Sequence, residues 1–207
     1  MPQHKDRITK LLANPNVNAS TESFLLSLLG NVERWGKLTE RQQDALKRIE
    51  ERHTDEAITR REEWAAEWDE EKRQVVIICA SYYLSTGAYF FDLATRVLNE
   101  SDFVPSEKQF NAMCCNKYAK KVVESTQSEA KYPVGSFVDF RTGTPRATLR
   151  LTPEAINVPA LVLETGVGVV TTHAKGGKKY VVLPVGSIGP ITIEERHLKK
   201  SKKAKSS

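Results

Sequence analysis

Along the first 127 residues the apolar positions recur at the helical period, whereas beyond about residue 132 they alternate or fall into short β-branched runs. Phe24, Leu25, Leu28, Leu29 and Val32 share one helical face, which Gly36 ends. Thr39 then stands three residues before Gln42 (LTERQ, Leu38–Gln42), the spacing of a capping box, in which hydroxyl and amide each satisfy the other residue's backbone N–H. Leu38, Ala45, Leu46 and Ile49 form the stripe of the helix that follows. The same grammar returns with Phe90, Phe91, Ala94, Val97 and Leu98, a break over Asn99–Phe103, and PSEKQ at Pro105–Gln109. There Ser106 and Gln109 repeat the box ahead of Phe110, Met113 and Cys114. Gln109 lies 67 positions after Gln42 (109 − 42), and Ala112 and Met113 stand where Ala45 and Leu46 stood. The pattern predicts a helical hairpin used twice, over about 20–52 and 88–124.

Between the copies Trp64, Trp68, Val75, Cys79 and Tyr82 make a stripe at helical spacing, and Glu56/Arg60 and Asp69/Arg73 are acid-first pairs four apart. One connecting helix over about 55–84 is expected. A small polar stretch, 128–132, then reads as a linker. VGSFVDF, ALVLE, GVVTTH, KKYVVLPV and ITI follow as short strands with turn signals between them, and Gly176–Gly177 reads as a hairpin tip. The expected fold class is α+β in two domains: an all-α domain over 1–127 and a small β-barrel over 133–198. A disordered lysine-rich tail is expected over 199–207.

Two resemblances attach to these segments. YPVGSFVDF, PALVLETGVGVV, KKYVVLPVG and PITIEERHLK look like the strands of an SH3-like small β-barrel, as in ribosomal proteins, elongation factors and chromatin readers. The elongation-factor glycine-proline motif is missing. Tyr132, Phe137, Phe140 and Tyr180 are the only candidates for an aromatic cage. SFLLSLLGNVERWGKLTERQ is similar to short helical modules of bacteriophage replication and recombination proteins, which implies a phage or mobile-element origin and names no activity. An SH3-like fold hosts many functions, so function has to be argued from side chains.

Charge changes that picture most. Residues 1–127 hold 18 Lys+Arg against 20 Asp+Glu, a net −2, and residues 128–207 hold 13 against 6, a net +7. The positive charge belongs to the C-terminal part, which points to an acidic partner. Lys175, Lys178 and Lys179 flank the glycine pair; Lys199, Lys200, Lys202, Lys203 and Lys205 crowd the C-terminal end; and Arg141, Arg146 and Arg150 fall in the first long loop. Lysines and arginines on loops suit phosphate contact, because counterion release needs no fixed geometry. A solubilising tail is the competing reading of the same lysines. Trp35, Trp64 and Trp68 are candidates for contact with a protein partner.

Catalytic chemistry finds little footing. His4, His53, His173 and His197 stand apart from the cysteines, no C-x-x-C occurs, and Cys114 and Cys115 point about 100° apart on a helix. Neither Gly166–Gly168 nor Gly176–Gly177 forms a phosphate loop. Glu62, Glu63, Glu67, Asp69, Glu70 and Glu71 read as a solvated helix face. No metal, cofactor or catalytic group is expected. The longest apolar run, Val75–Ala80, is far short of a membrane span, and the first ten residues lack the apolar core of a signal peptide. Three cysteines suit a reducing, cytoplasmic setting, the host cytoplasm for a phage product. The reading is a non-enzymatic accessory protein that binds DNA or RNA through its basic C-terminal part and a protein through its helices. An adaptor or inhibitor of a host machine without nucleic acid, and a structural or oligomeric subunit, remain alternatives.

Overall fold

The computed structural model describes residues 2–87, 89–145 and 155–201. Its class is α+β: eight helices followed by a five-stranded antiparallel sheet. The chain divides into two compact units, Met1–Glu67 and Trp68–Ser207.

In the first unit, α1 (Pro2–Leu12), α2 (Ala19–Trp35) and α3 (Glu40–Arg52) enclose a core of Ile8, Leu11, Leu25, Leu28, Val32, Leu38, Leu46 and Ile49. Gly36 ends α2 in the left-handed region (φ 66°), where its N–H reaches the Val32 carbonyl at 2.8 Å. The Thr39–Gln42 capping box is formed in full. Arg7 on α1 clamps Glu50 on α3 through two bonds of 2.7 and 2.6 Å. The pairing holds the Glu50 carboxyl below its ordinary range. Helix α4 (Asp55–Ala66) buries no residue completely.

The helix expected over 55–84 is two helices. α4 stops at Ala66 and α5 (Glu70–Thr86) starts anew, because the Asp69 carboxylate accepts from the Lys72 backbone N–H at 2.7 Å and caps it. Glu70 and Glu71 in the first turn favour the same start. The apolar stripe crosses this break, so periodicity alone misses it. In the second unit α5 packs with α6 (Phe91–Asn99), α7 (Glu107–Cys114) and α8 (Lys117–Gln127) around Val76, Cys79, Ala94, Val97, Met113, Ala119 and Val122. The Ser106–Gln109 box caps α7. Phe91 and Leu98, expected on the buried face of α6, are 65% and 40% exposed.

The sheet contains β1 (Phe137–Phe140), β2 (Ala160–Thr165), β3 (Lys179–Pro184), β4 (Ile191–Glu194) and β5 (Leu198–Lys200), in the order β4-β3-β2-β1-β5. It is open, not the closed barrel expected: β4 pairs only with β3, and β5 only with β1. A single 3-10 turn, Glu195–His197, joins β4 to β5. Three expectations fail here for identifiable reasons. GVVTTH is no strand, because Val170 leaves the sheet and joins the helical core. Gly176–Gly177 is therefore no hairpin tip; a Cβ on Gly177 would stand 2.7 Å from Thr172 Cγ2 and 3.0 Å from its carbonyl oxygen, so the pair marks a close approach within the loop. Lys199 and Lys200, expected in a disordered tail, belong to β5, and Ser201 after them is buried. The polar stretch 128–132 also holds a core residue: Tyr132 is buried and donates its hydroxyl proton to the Leu198 carbonyl at 3.1 Å.

Candidate nucleic-acid interface

β5 forms the sheet edge beside β1, with Phe140 opposite Leu198, Asp139 opposite Lys199 and Val138 opposite Lys200. Alternation sends Leu198 into the core beside Val138 and Phe140 and leaves Lys199 outside. Along this edge runs a groove of about 590 Å³, lined by Lys131, Arg141, Lys199 and Lys200 together with Phe137 and Pro133. A smaller pocket of about 240 Å³ shares Arg141 and Lys199. Among the described residues none of these four cations forms a salt bridge. Phe137, on the outward register of β1, is 39% exposed at the groove.

Behind the groove, Tyr132 of its lining is tied into a buried hydrogen-bond network. Tyr180, wholly buried, donates to Glu195 at 2.7 Å and accepts the Tyr132 backbone N–H at 3.4 Å. Burial, and then the Glu195 bond, push the Tyr180 hydroxyl pKa upward, so it stays a neutral donor. Arg141 is aimed by its Nε, which donates to the Leu198 carbonyl at 2.8 Å, while its backbone N–H meets the His197 carbonyl at the same distance. A fixed guanidinium, three lysines and a part-exposed ring make a surface that can hold phosphates beside a stacked base.

The residues picked from sequence meet different fates. Arg141, Lys199 and Lys200 come together in the groove. Lys175 is exposed in the loop between β2 and β3. Lys179 is half-buried on β3 opposite Glu194. Lys178 is withdrawn: it is 7% exposed, and its ammonium donates to the carbonyl of Ser128, the residue that ends α8. Arg146, Arg150, Lys202, Lys203 and Lys205 lie outside the described residues. Trp35 is 68% exposed at the end of α2, and Trp64 is half-buried. Trp68 belongs to the second unit's core, edge-on to Phe110 at 5.9 Å, and so is no ready contact for a partner. Lys131, from the supposed linker, is the groove cation that sequence reasoning missed; its place three residues before a β-branched run was the available signal.

A third pocket, of about 290 Å³, gathers Lys179, Glu194, Arg196 and His197. Its one carboxylate is already engaged: Arg196 Nε lies 2.5 Å from Glu194, and His197 3.9 Å from the same oxygen. Burial and the neighbouring Arg196 lower the His197 pKa, which favours neutral imidazole. Among the described residues no group of three or more His, Cys, Asp or Glu could hold a metal ion, and no helix is long and apolar enough to cross a membrane. Cys79 and Cys114 are buried thiols and Cys115 is exposed.

No family model, curated protein or solved structure matches the chain.

Proposed function

We propose that this chain is a non-enzymatic nucleic-acid-binding accessory protein whose β1–β5 groove holds a single strand. The observation that carries the reading is the convergence of Lys131, Arg141, Lys199 and Lys200 on one groove beside a part-exposed Phe137, with no carboxylate pairing them among the described residues. The groove lining ends at Ser201, and Lys202 and Lys203 come next in the sequence, so the chain continues into more positive charge. Binding of this kind is mainly electrostatic, falls steeply with salt and selects weakly among sequences.

The SH3-like resemblance gains support from the strand order, in which a four-strand run is completed by a fifth strand returning to β1 after a single 3-10 turn. The duplicated helical element gains support from the two formed capping boxes and from buried pairs at the same offset of 67, Leu38 with Pro105 and Leu46 with Met113. A cytoplasmic setting, inside a host for a phage product, suits the three free thiols. A protein partner is a second reading for the first unit, favoured by Trp35, a large ring left 68% exposed. The test of the main reading is binding of the full chain and of Lys199→Gln/Lys200→Gln to labelled single- and double-stranded DNA and RNA across a salt series. Weaker binding and a shallower salt slope in the variant support the groove, and equal binding removes it.

A further inference from the structure

Helix α8 buries Ala119 and Val122 and turns Lys117, Tyr118, Lys120 and Lys121 to solvent. Lys117 and Lys121 are four apart on one face, like charges that repel and do nothing for the helix. The lysines find no salt bridge among the described residues. A second element comes to the same place. The loop between β2 and β3 is anchored by Val170 in the helical core and by the Arg196 backbone N–H on the Gly176 carbonyl at 2.9 Å. That anchoring sets the ring of His173 edge-on to Tyr118, with centroids 4.8 Å apart, and leaves Lys175 exposed two residues on. The Lys117 ammonium stands 4.9 Å from the Tyr118 ring centroid, and Tyr118 remains 44% exposed.

We infer that α8 and this loop form a second contact surface for single-stranded nucleic acid, an inference that rests on the nucleic-acid reading and extends it beyond the groove. Lys117, Lys121 and Lys175 meet phosphates, and Tyr118, braced by His173, offers its ring to a base. Three features select this occupant over an acidic protein. Two elements distant in sequence meet at an aromatic pair with exposed lysines on both, the Tyr118 and His173 rings hold each other in a T-shaped contact, and among the described residues none of these lysines forms a salt bridge, Glu124 being the one carboxylate on the helix. Stacking on a fixed ring with mobile cations around it is the physics of sequence-tolerant single-strand binding.

The experiment measures binding of labelled oligo-dT and oligo-rU to the full-length wild type and three variants over a salt series, with thermal melts to show that each variant folds. Lys117→Gln/Lys121→Gln is expected to weaken binding and lower the slope of log K against log salt by about 1.4, since each phosphate contact on a single strand contributes about 0.7. Tyr118→Ala is expected to weaken binding about ten-fold with the slope unchanged, the signature of lost stacking. Oligo-dT against oligo-rU separates DNA from RNA as the source of the strand. Should both α8 variants bind as wild type while Lys199→Gln/Lys200→Gln weakens, the α8 surface is overturned and the groove stands. If the α8 variants weaken and Lys199→Gln/Lys200→Gln does not, the groove fails and α8 is the site. No binding of the wild type to either strand at low salt overturns both.

Discussion

Lys178 buries its ammonium against the backbone carbonyl of Ser128, tying the start of β3 to the end of α8. The bond spans 50 residues and joins the sheet to the helices of the second unit, so this lysine serves the fold. Lys178→Met keeps the stem and removes the donor, while the carbonyl of the exposed Ser128 turns to water. The expected loss is about 2 kcal/mol, within the usual range for a hydrogen bond made by a charged group. Urea unfolding of wild type and variant measures it, and a loss within about 0.5 kcal/mol, typical of surface substitutions, would count against the bond.

The loop after β2 supplies a second prediction. Gly177→Ala forces a methyl to 2.7 Å from Thr172 Cγ2. Overpacking of this sort costs about 1–3 kcal/mol. Thr172→Ser removes the clashing methyl while keeping the hydroxyl that accepts the Ala174 N–H. Gly177→Ala is therefore expected to cost less when combined with Thr172→Ser than alone. Gly143→Ala, with nothing within 4 Å, is the control and should be near neutral. A double-mutant cycle on melting temperatures checks the coupling.

The Arg7–Glu50 clamp makes the first unit sensitive to acid. Hydrogen bonding to Arg7 lowers the Glu50 pKa in the folded state, so its stabilisation is present above the ordinary carboxylate value and is lost as pH falls through the folded one. Glu50→Gln should destabilise by about 1 kcal/mol or less at neutral pH, because both side chains are about one-third exposed and partly screened. The gap between wild type and variant should narrow steadily as pH falls below the ordinary carboxylate value and through the lowered folded one. Melting curves over an acid pH series test this, and a gap that stays constant with pH contradicts it.

Much of the helical part can be read in the sequence because its signals are local. A Thr or Ser three residues before Gln caps whichever helix follows, and both boxes form as spacing predicts. The break before Asp69 was also local, yet it lay under a continuous apolar stripe that outweighed one capping carboxylate. The sheet is harder to read because its outcome depends on distant neighbours. Val169 and Val170 have the composition of a strand, but the helical core claims Val170. Lys175, Lys178 and Lys179 look alike in sequence and become exposed, buried and half-buried. Nothing local separates them, since the Ser128 carbonyl that withdraws Lys178 arrives from 50 residues away. The groove was half legible: Arg141, Lys199 and Lys200 were marked by charge, while Lys131 joins them only through the folding of the supposed linker onto the sheet.

Phe137 separates stacking from simple charge attraction at the groove. Phe137→Ala removes the part-exposed ring and no charge. Affinity for a single strand should fall about ten-fold or more, in keeping with about 1–3 kcal/mol per stacked base, while the salt slope stays as in wild type. Equal affinity would mean that the groove holds phosphates alone.

The most direct test of the central claim is the salt dependence of single-strand binding by wild type and Lys199→Gln/Lys200→Gln. The account predicts tight binding at low salt, a steep decline as salt rises, and a slope reduced by about 1.4 in the variant. Identical affinity and slope for the two proteins, or no binding by the wild type, would contradict it.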